Sequence, residues 1–439
     1  MNLLKCYFVL VLLTVLLWAC SPTNETFSPW DAHLSTEQNI AKNAIALENN
    51  EDFSFLDKIV NDRSFVILGE EGHFDYSTTE VKIEMIDYLQ EKGFHSIAVE
   101  GVSFFAAYVF SNPQYAELTK NWNIGPFYFL KENMLRKENI RGGKKHRLFF
   151  EKIQNRKIRL WGIDSHGTVF DIDVIKKILD DHYSGDEILS INWDKLKDLY
   201  FRKFIHTRIS PDYHKLSIDE EYGLMRMIDT ISNYTQYLMS SRGADMDLKA
   251  IMQWIRNINT SFSNVEYQNI KNESQMALSS RNRDSQMAEN IGWIVKNFPE
   301  EKFIVLCANF HGAKDISQTR YPTDSLLYFT FQSMGEALHA THGDKMYSLA
   351  FTSLWHAEEK ENSELEMEIA NTTNNVPYAF IDFEPLRFAD GYRDKEFESR
   401  IIGKKRGKWL YIFDGLYYIR YQEVDHSLSQ KYSPFKEKE

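Results

Sequence analysis

Several short, almost continuous apolar runs rich in β-branched residues end in turn formers: Phe65 to Gly69, Ser96 to Val99, Ile158 to Ile163, Phe303 to Ala308 and Tyr347 to Thr352. Runs of this kind predict strands covered on both faces, as in a parallel sheet. Amphipathic helical patterns lie between several of them. The best framed starts at Ser77, where Ser77-Thr78-Thr79-Glu80 has capping-box spacing, Val81, Met85, Ile86 and Leu89 mark one face, and Gly93 supplies a stop. Strand, helix and strand over Phe65 to Val99 predict a βαβ unit, with a parallel pair and a right-handed crossover. From about Asp171 to Asn297 the pattern turns to long helical periodicity without a convincing strand, for example Tyr222 to Met239 and Met246 to Ile258. Short β-like runs return at Ala379 to Phe383, Trp409 to Phe413 and Leu416 to Tyr421. The expected fold is α/β, a mainly parallel central sheet flanked by helices. It forms one domain over 35–425 with a large helical insertion at about 171–297, followed by a charged tail over 426–439.

The amino-terminal pattern is of another kind. After Lys5, residues 6–19 are apolar apart from Thr14, too short a run for a resident membrane helix but suited to an export signal. Leu17-Trp18-Ala19-Cys20 resembles the bacterial lipoprotein box, in which the signal is cut before the cysteine and that cysteine receives the lipid. The expectation is a signal peptide over 1–19, a lipidated tether over 20–34 with the lipid on Cys20, and anchoring in the bacterial cell envelope at the outer membrane. An ordinary signal peptide or uncleaved anchor with a chance cysteine is the alternative. Of Cys6, Cys20 and Cys307, this reading leaves only Cys307 as a thiol, so no intramolecular disulfide is expected.

Composition narrows the function classes. With 43 % hydrophobic and 14 % aromatic residues among 439, the chain can bury a core, which excludes a disordered protein. The balance of 51 Lys and Arg against 63 Asp and Glu, a net charge of −12, argues against nucleic acid as a partner.

In parallel α/β sheets, ligands bind at the carboxyl ends of the strands. Four predicted strands deliver polar residues there: Glu70 and His73, Glu100, Asp164 with His166, and Asn309 with His311. Carboxylates beside histidines would let an imidazole act as general base, with the carboxylate fixing its tautomer. Each residue has an ordinary alternative, since polar residues at strand ends commonly serve as caps or turn formers.

At these residues the sequence resembles the erythromycin esterase family. The matching segments are Val66 to His73 with Lys82, Gly93-Phe94 through Val99-Glu100, Trp161 to Ser165, and Arg283-Asp284-Ser285-Gln286-Met287-Ala288-Glu289-Asn290. Ala308-Asn309-Phe310-His311, Met334-Gly335 to Gly343-Asp344 and Phe413 to Leu416 continue the order along Phe65 to Tyr421. The resemblance implies a hydrolase in which His73 activates water against an ester or lactone carbonyl. Glu70 or Glu100 would orient the imidazole, Lys82 would steady the oxyanion, and His311 with Asn309 would position the water or protonate the leaving alkoxide. Asp164 and His166 would complete the substrate side. The family's second histidine is replaced here by Ala308, a gap His166 would have to fill, and Phe74 follows His73 where glycine is commoner. Macrolide specificity is therefore not implied.

The expected partner is a small-molecule ester or lactone, with no cofactor; a divalent metal stays open, as does the oligomeric state. The rival reading is an envelope lipoprotein that binds a metal or haem through Glu70, His73, Asp164, His166 and His311. The aromatic stretch from Phe104 to Phe129 would serve an ordinary core or line an apolar cleft.

Overall fold

The computed structural model describes residues 30–72, 75–119, 148–149, 151–153, 155–165, 167–168, 170–182, 191–206, 216–263, 273–320, 331–356 and 363–423. The expected signal peptide, Cys20, His73, His166 and the tail over 426–439 lie outside the described residues.

The strands are β1 (Ile45–Leu47), β2 (Phe65–Leu68), β3 (Ser96–Ser103), β4 (Arg159–Asp164), β5 (Phe303–Leu306), β6 (Thr319–Arg320), β7 (Met346–His356), β8 (Tyr378–Asp382), β9 (Phe397–Ser399), β10 (Lys405–Gly407) and β11 (Gly415–Gln422). Eight of them form one sheet in the order β1-β8-β11-β7-β2-β5-β3-β4, and β6-β10-β9 form a small second sheet. From β11 to β4 every neighbouring pair is parallel, and β8 runs against β11 and β1. The mainly parallel α/β sheet expected from the sequence is thus observed.

Double-sided burial explains the continuous apolar runs. In β2, Phe65 and Ile67 join one core cluster while Val66 and Leu68 join another on the opposite face. The first cluster is filled from the helical block; the second includes Val81, Met85, Ile86 and Leu89 of the helix Tyr76–Glu91.

The helices used below are α1 (Thr36–Ala41), α2 (Tyr76–Glu91), α3 (Phe104–Ser111), α4 (Asp171–His182), α5 (Trp193–Phe201), α6 (Ile218–Arg242), α7 (Met246–Ser263), α8 (Glu273–Asn297), α9 (Met334–His342) and α10 (Glu364–Thr372). Among the described residues of 171–297 only helices occur, as the periodicity predicts.

Four local expectations need correction. Helix α2 begins at Tyr76 with Asp75 as its N-cap and no capping box; the Asp75 carboxylate accepts from Gly72 N, and Ser77 Oγ accepts from Glu423 N. Strands β2 and β3 are parallel, but β5 lies between them, because a strand arriving after the helical block pairs with both. Trp409 to Phe413 is not a strand: Trp409–Ile412 forms a helical turn, with Trp409, Leu410 and Ile412 buried. Trp30, read as part of the tether, packs edge-on against Tyr392 at 5.1 Å between ring centroids, so the folded body already includes it.

Two features shape the carboxyl edge of the sheet. Only Met346 to Leu349 of β7 pair with β2, so the rest of β7, flanked by β11, rises past the end of β2 as a wall. In β3 the register against β4 shifts between Val99 and Ser103. This bulge contains Glu100 and Gly101, and Gly101 has φ +77°, a left-handed conformation that glycine adopts without strain. Opposite it, a Cβ on Gly162 would stand 2.1 Å from Ser103 O, so only glycine admits the bulged strand.

Candidate active site

Around the carboxyl ends of β3, β4 and β5 the chain gathers a buried cluster of charges. The bulge of β3 supplies Glu100, β4 ends on Asp164, and the helical turn Asn309–Gly312 after β5 supplies His311. Arg283 and Asp284 enter from α8. Asp164 and Asp284 are fully buried, and Glu100 and His311 are each 9 % exposed.

Arg283 binds the cluster together. Its Nη2 donates to Glu100 Oε1 at 2.8 Å and to Asp164 Oδ2 at 2.5 Å, and its Nε donates to Asp164 Oδ1 at 3.2 Å. A planar guanidinium that bridges two carboxylates satisfies both with fixed geometry. The remaining acceptor positions are met by backbone: Gly101 N and Ser165 N donate to Asp164 at 3.1 and 2.8 Å, and Ala308 N donates to Glu100 Oε2 at 2.9 Å. The bulge therefore does two things, turning Glu100 toward Arg283 and aiming Gly101 N–H at Asp164.

Helix α8 is held in register by the same stretch of sequence. One turn beyond Asp284, Met287 is fully buried in the core, and Asn290 Nδ2 donates to Ile163 O at 2.7 Å while exchanging hydrogen bonds with Asn257 of α7. Positions 283, 287 and 290 share one helix face, so the tie at the end of β4 delivers Arg283 to Asp164.

His311 has a partner on each ring nitrogen. Nδ1 lies 2.8 and 2.9 Å from the two Asp284 oxygens, and Nε2 lies 3.1 Å from Arg283 Nη1 and 3.2 Å from Glu100 Oε1. Asp284 is itself fixed by Met334 N at the start of α9, at 2.8 Å. Burial by itself pulls the His311 imidazole down, but Asp284 and Glu100 outweigh it and push the ring up to about 10. Burial pushes the Asp284 carboxyl up, against the pull of His311, Arg283 and Met334 N–H; with Asp284 and Glu100 on both sides, the ring is held as an imidazolium. In that state Nε2–H points to Glu100, and after deprotonation the same nitrogen can accept from Arg283. Either protonation state keeps a hydrogen-bond partner, which suits a proton donor and acceptor.

The loop after β2 contributes a second pair. Lys82 Nζ of α2 contacts Glu70 Oε2 at 2.9 Å and lies 5.7 Å from the centre of the Phe351 ring. Lys82 is 5 % exposed, so it is not a solvated charge on a helix surface. Asn309 has a different position from the other sequence candidates: its Nδ2 donates to Phe351 O and Ile401 O, both at 2.7 Å, and its Oδ1 accepts from Phe351 N at 3.1 Å. Its side chain is thus spent on backbone, while its N–H donates to Glu70 O at 2.8 Å. A Cβ on Gly69 would stand 2.0 Å from Asn309 Oδ1, so glycine permits the two loops to touch.

Glu100, Asp164 and His311 are therefore brought together, with Glu70 and Lys82 paired beside Asn309. Sequence reading assigned no role to Arg283 or Asp284, although their segment carried the family resemblance; a charged Arg-Asp pair one turn before a buried Met287 was the available signal. In the described part of the aromatic stretch, Phe104, Phe105 and Tyr108 of α3 are core. Among the described residues no group of three His, Cys, Asp or Glu side chains is arranged to hold a metal ion.

Comparison with known proteins agrees with this architecture. The erythromycin esterase family profile matches residues 151–368, a span that includes Asp164, Arg283, Asp284 and His311. A Bacillus cereus protein of solved structure superposes with a TM-score of 0.67 at 18 % identity, over 90 % of this chain and 99 % of that one. A succinoglycan biosynthesis protein gives 0.61 at 16 %, over 91 % and 100 %. An erythromycin esterase mutant in its open conformation gives 0.60 at 15 %, over 87 % and 98 %. At such identities the likeness is one of fold. No curated protein matches the chain. Over residues 151–368 the chain thus matches the erythromycin esterase family, and its fold is one shared with an erythromycin esterase.

Proposed function

We propose that this protein hydrolyses an ester or lactone of a small molecule with a water activated by His73, and that His311 protonates the leaving alkoxide. The match to the erythromycin esterase family supports a hydrolase. The observation that carries the finer reading is the Asp284–His311 pair, whose Nε2 stands between Glu100 and Arg283. In this scheme His73 takes a proton from water, the hydroxyl adds to the acyl carbon, and the acyl C–O bond breaks. The alkoxide takes its proton from His311, and Arg283 then donates to the neutral Nε2. Lys82, a fixed positive charge beside Glu70, would stabilise the oxyanion. Arg283 occupies the oxygens of Glu100 and Asp164 that a metal would need, which favours hydrolysis without one.

The test is turnover of an ester and lactone panel, macrolides included, by the purified protein, read by mass spectrometry. His73→Ala should abolish turnover in a folded protein, and His311→Ala should lower it by roughly 10²–10⁴-fold. A panel with no substrate, or a His73→Ala variant at full rate, overturns the proposal; activity removed by a chelator would move it to metal-assisted hydrolysis. Envelope anchoring through Cys20 is the companion proposal, supported by the apolar run over 6–19 and Leu17 to Cys20. Labelled palmitate should enter the wild type and not Cys20→Ser; an unlabelled wild type ends it.

A further inference from the structure

The loop between β2 and α2 is held from behind by an ion pair that has no part in the proposed chemistry. Glu71 directly follows Glu70 and precedes His73 by two residues. Its Oε1 accepts from Arg400 Nε at 3.0 Å, and its Oε2 accepts from Ser353 Oγ at 3.0 Å. Arg400 is fully buried and Ser353 is 1 % exposed.

Arg400 is in turn fixed by its own backbone. Its N–H donates to Glu366 Oε1 of α10 at 3.2 Å, and the same carboxylate accepts from Thr352 Oγ1, Ser399 Oγ and Ser363 Oγ at 2.6–2.7 Å. Glu366 is fully buried. The next residue, Ile401, gives its carbonyl to Asn309. Thus one short segment, Ser399 to Ile401, backed by Phe351 to Ser353 of β7, grips both loops of the candidate site: Glu71 through Arg400, and Asn309 through Ile401.

A buried ion pair between two loop segments is costly to desolvate and is a poor way to add stability. Its distinctive property is directional: a guanidinium and a carboxylate fix orientation as well as distance. We propose that Arg400 is a positioning residue for the proposed hydrolysis, holding the loop that carries Glu70 in register with the Glu100–Arg283–His311 cluster through Glu71. Arg400 reaches this loop through its contact with Glu71.

This inference rests on the proposed function for its catalytic meaning, and the experiment keeps the two apart. Hydrogen exchange measured by mass spectrometry on the full chain needs no substrate. In Glu71→Gln and Arg400→Met, exchange over 69–76 should rise on the order of tenfold, with peptides from β5 and α8 unchanged. Arg400→Lys should restore part of the protection. On a substrate found in the panel, Glu71→Gln should lower kcat with little change in KM and shift the pH profile. Exchange over 69–76 that rises only in step with the whole protein, or does not rise, overturns the positioning role. An unreactive wild type overturns the hydrolase and leaves the exchange result to decide this device.

Discussion

His311 should make the stability of the fold depend on alkaline pH, and Asp284→Asn should remove much of that dependence. In the folded protein Asp284 and Glu100 overcome the effect of burial and raise the imidazole to about 10, whereas an unfolded histidine titrates near 6.5. Because the folded value is the higher one, the stabilisation is fully present below about pH 6.5 and is lost as pH rises through about 10. A difference of about 3.5 units at about 1.4 kcal/mol each amounts to roughly 5 kcal/mol, reached with a slope no steeper than about 1.4 kcal/mol per pH unit. Asp284 is the larger attractive contribution. Asparagine keeps an acceptor for Nδ1–H but drops the charge, so the alkaline decline should shrink by roughly half or more. Denaturant unfolding at several pH values between about 6 and 10 measures both proteins, and nuclear magnetic resonance of the labelled imidazole reads His311 itself. Parallel stability curves, or a His311 signal that titrates near 6.5, would refute the reasoning.

Three further outcomes follow from the same contacts. Arg283→Met leaves Glu100 and the fully buried Asp164 without their cation and should cost about 3–5 kcal/mol of unfolding free energy; a cost under about 1 kcal/mol contradicts the central place of the guanidinium. Asn309→Ala strands two buried carbonyls and an N–H, and should lower stability by roughly 2–4 kcal/mol; unchanged denaturation with a raised KM would return Asn309 to substrate binding. Gly162→Ala drives a methyl into the carbonyl of Ser103, so it should disturb the Glu100 bulge and lower both stability and turnover; a variant with wild-type values of both would show that the bulge tolerates a side chain.

Much of the scaffold was legible because burial on two faces writes a local signature. Val66 and Leu68 face one core and Phe65 and Ile67 the other, so the run needs no knowledge of its neighbours to be recognised as a strand. The same holds for α2, whose apolar stripe and Gly93 stop are set within one helix. Start signals were less secure: Ser77 had the spacing of a cap, but Asp75 took the position because its carboxylate also closes the Gly72 turn. Trp409 to Phe413 misled for a similar reason, since a fully buried helical turn and a buried strand share a continuous apolar pattern.

By itself the sequence determined that the chain folds around a parallel sheet, and which residues stand at its carboxyl edge, because strand ends and side-chain types are local properties. Only the tertiary structure decided who meets whom. Strand β5 separates β2 from β3, Arg283 reaches Glu100 and Asp164 from a distant helix, and Arg400 reaches back to Glu71. These are long-range pairings, and no local pattern encodes them: a charge in the sequence announces only that it needs a partner or solvent. Packing of the helical block and of the raised end of β7 chose the partners, and so turned scattered carboxylates, Arg283 and His311 into one site.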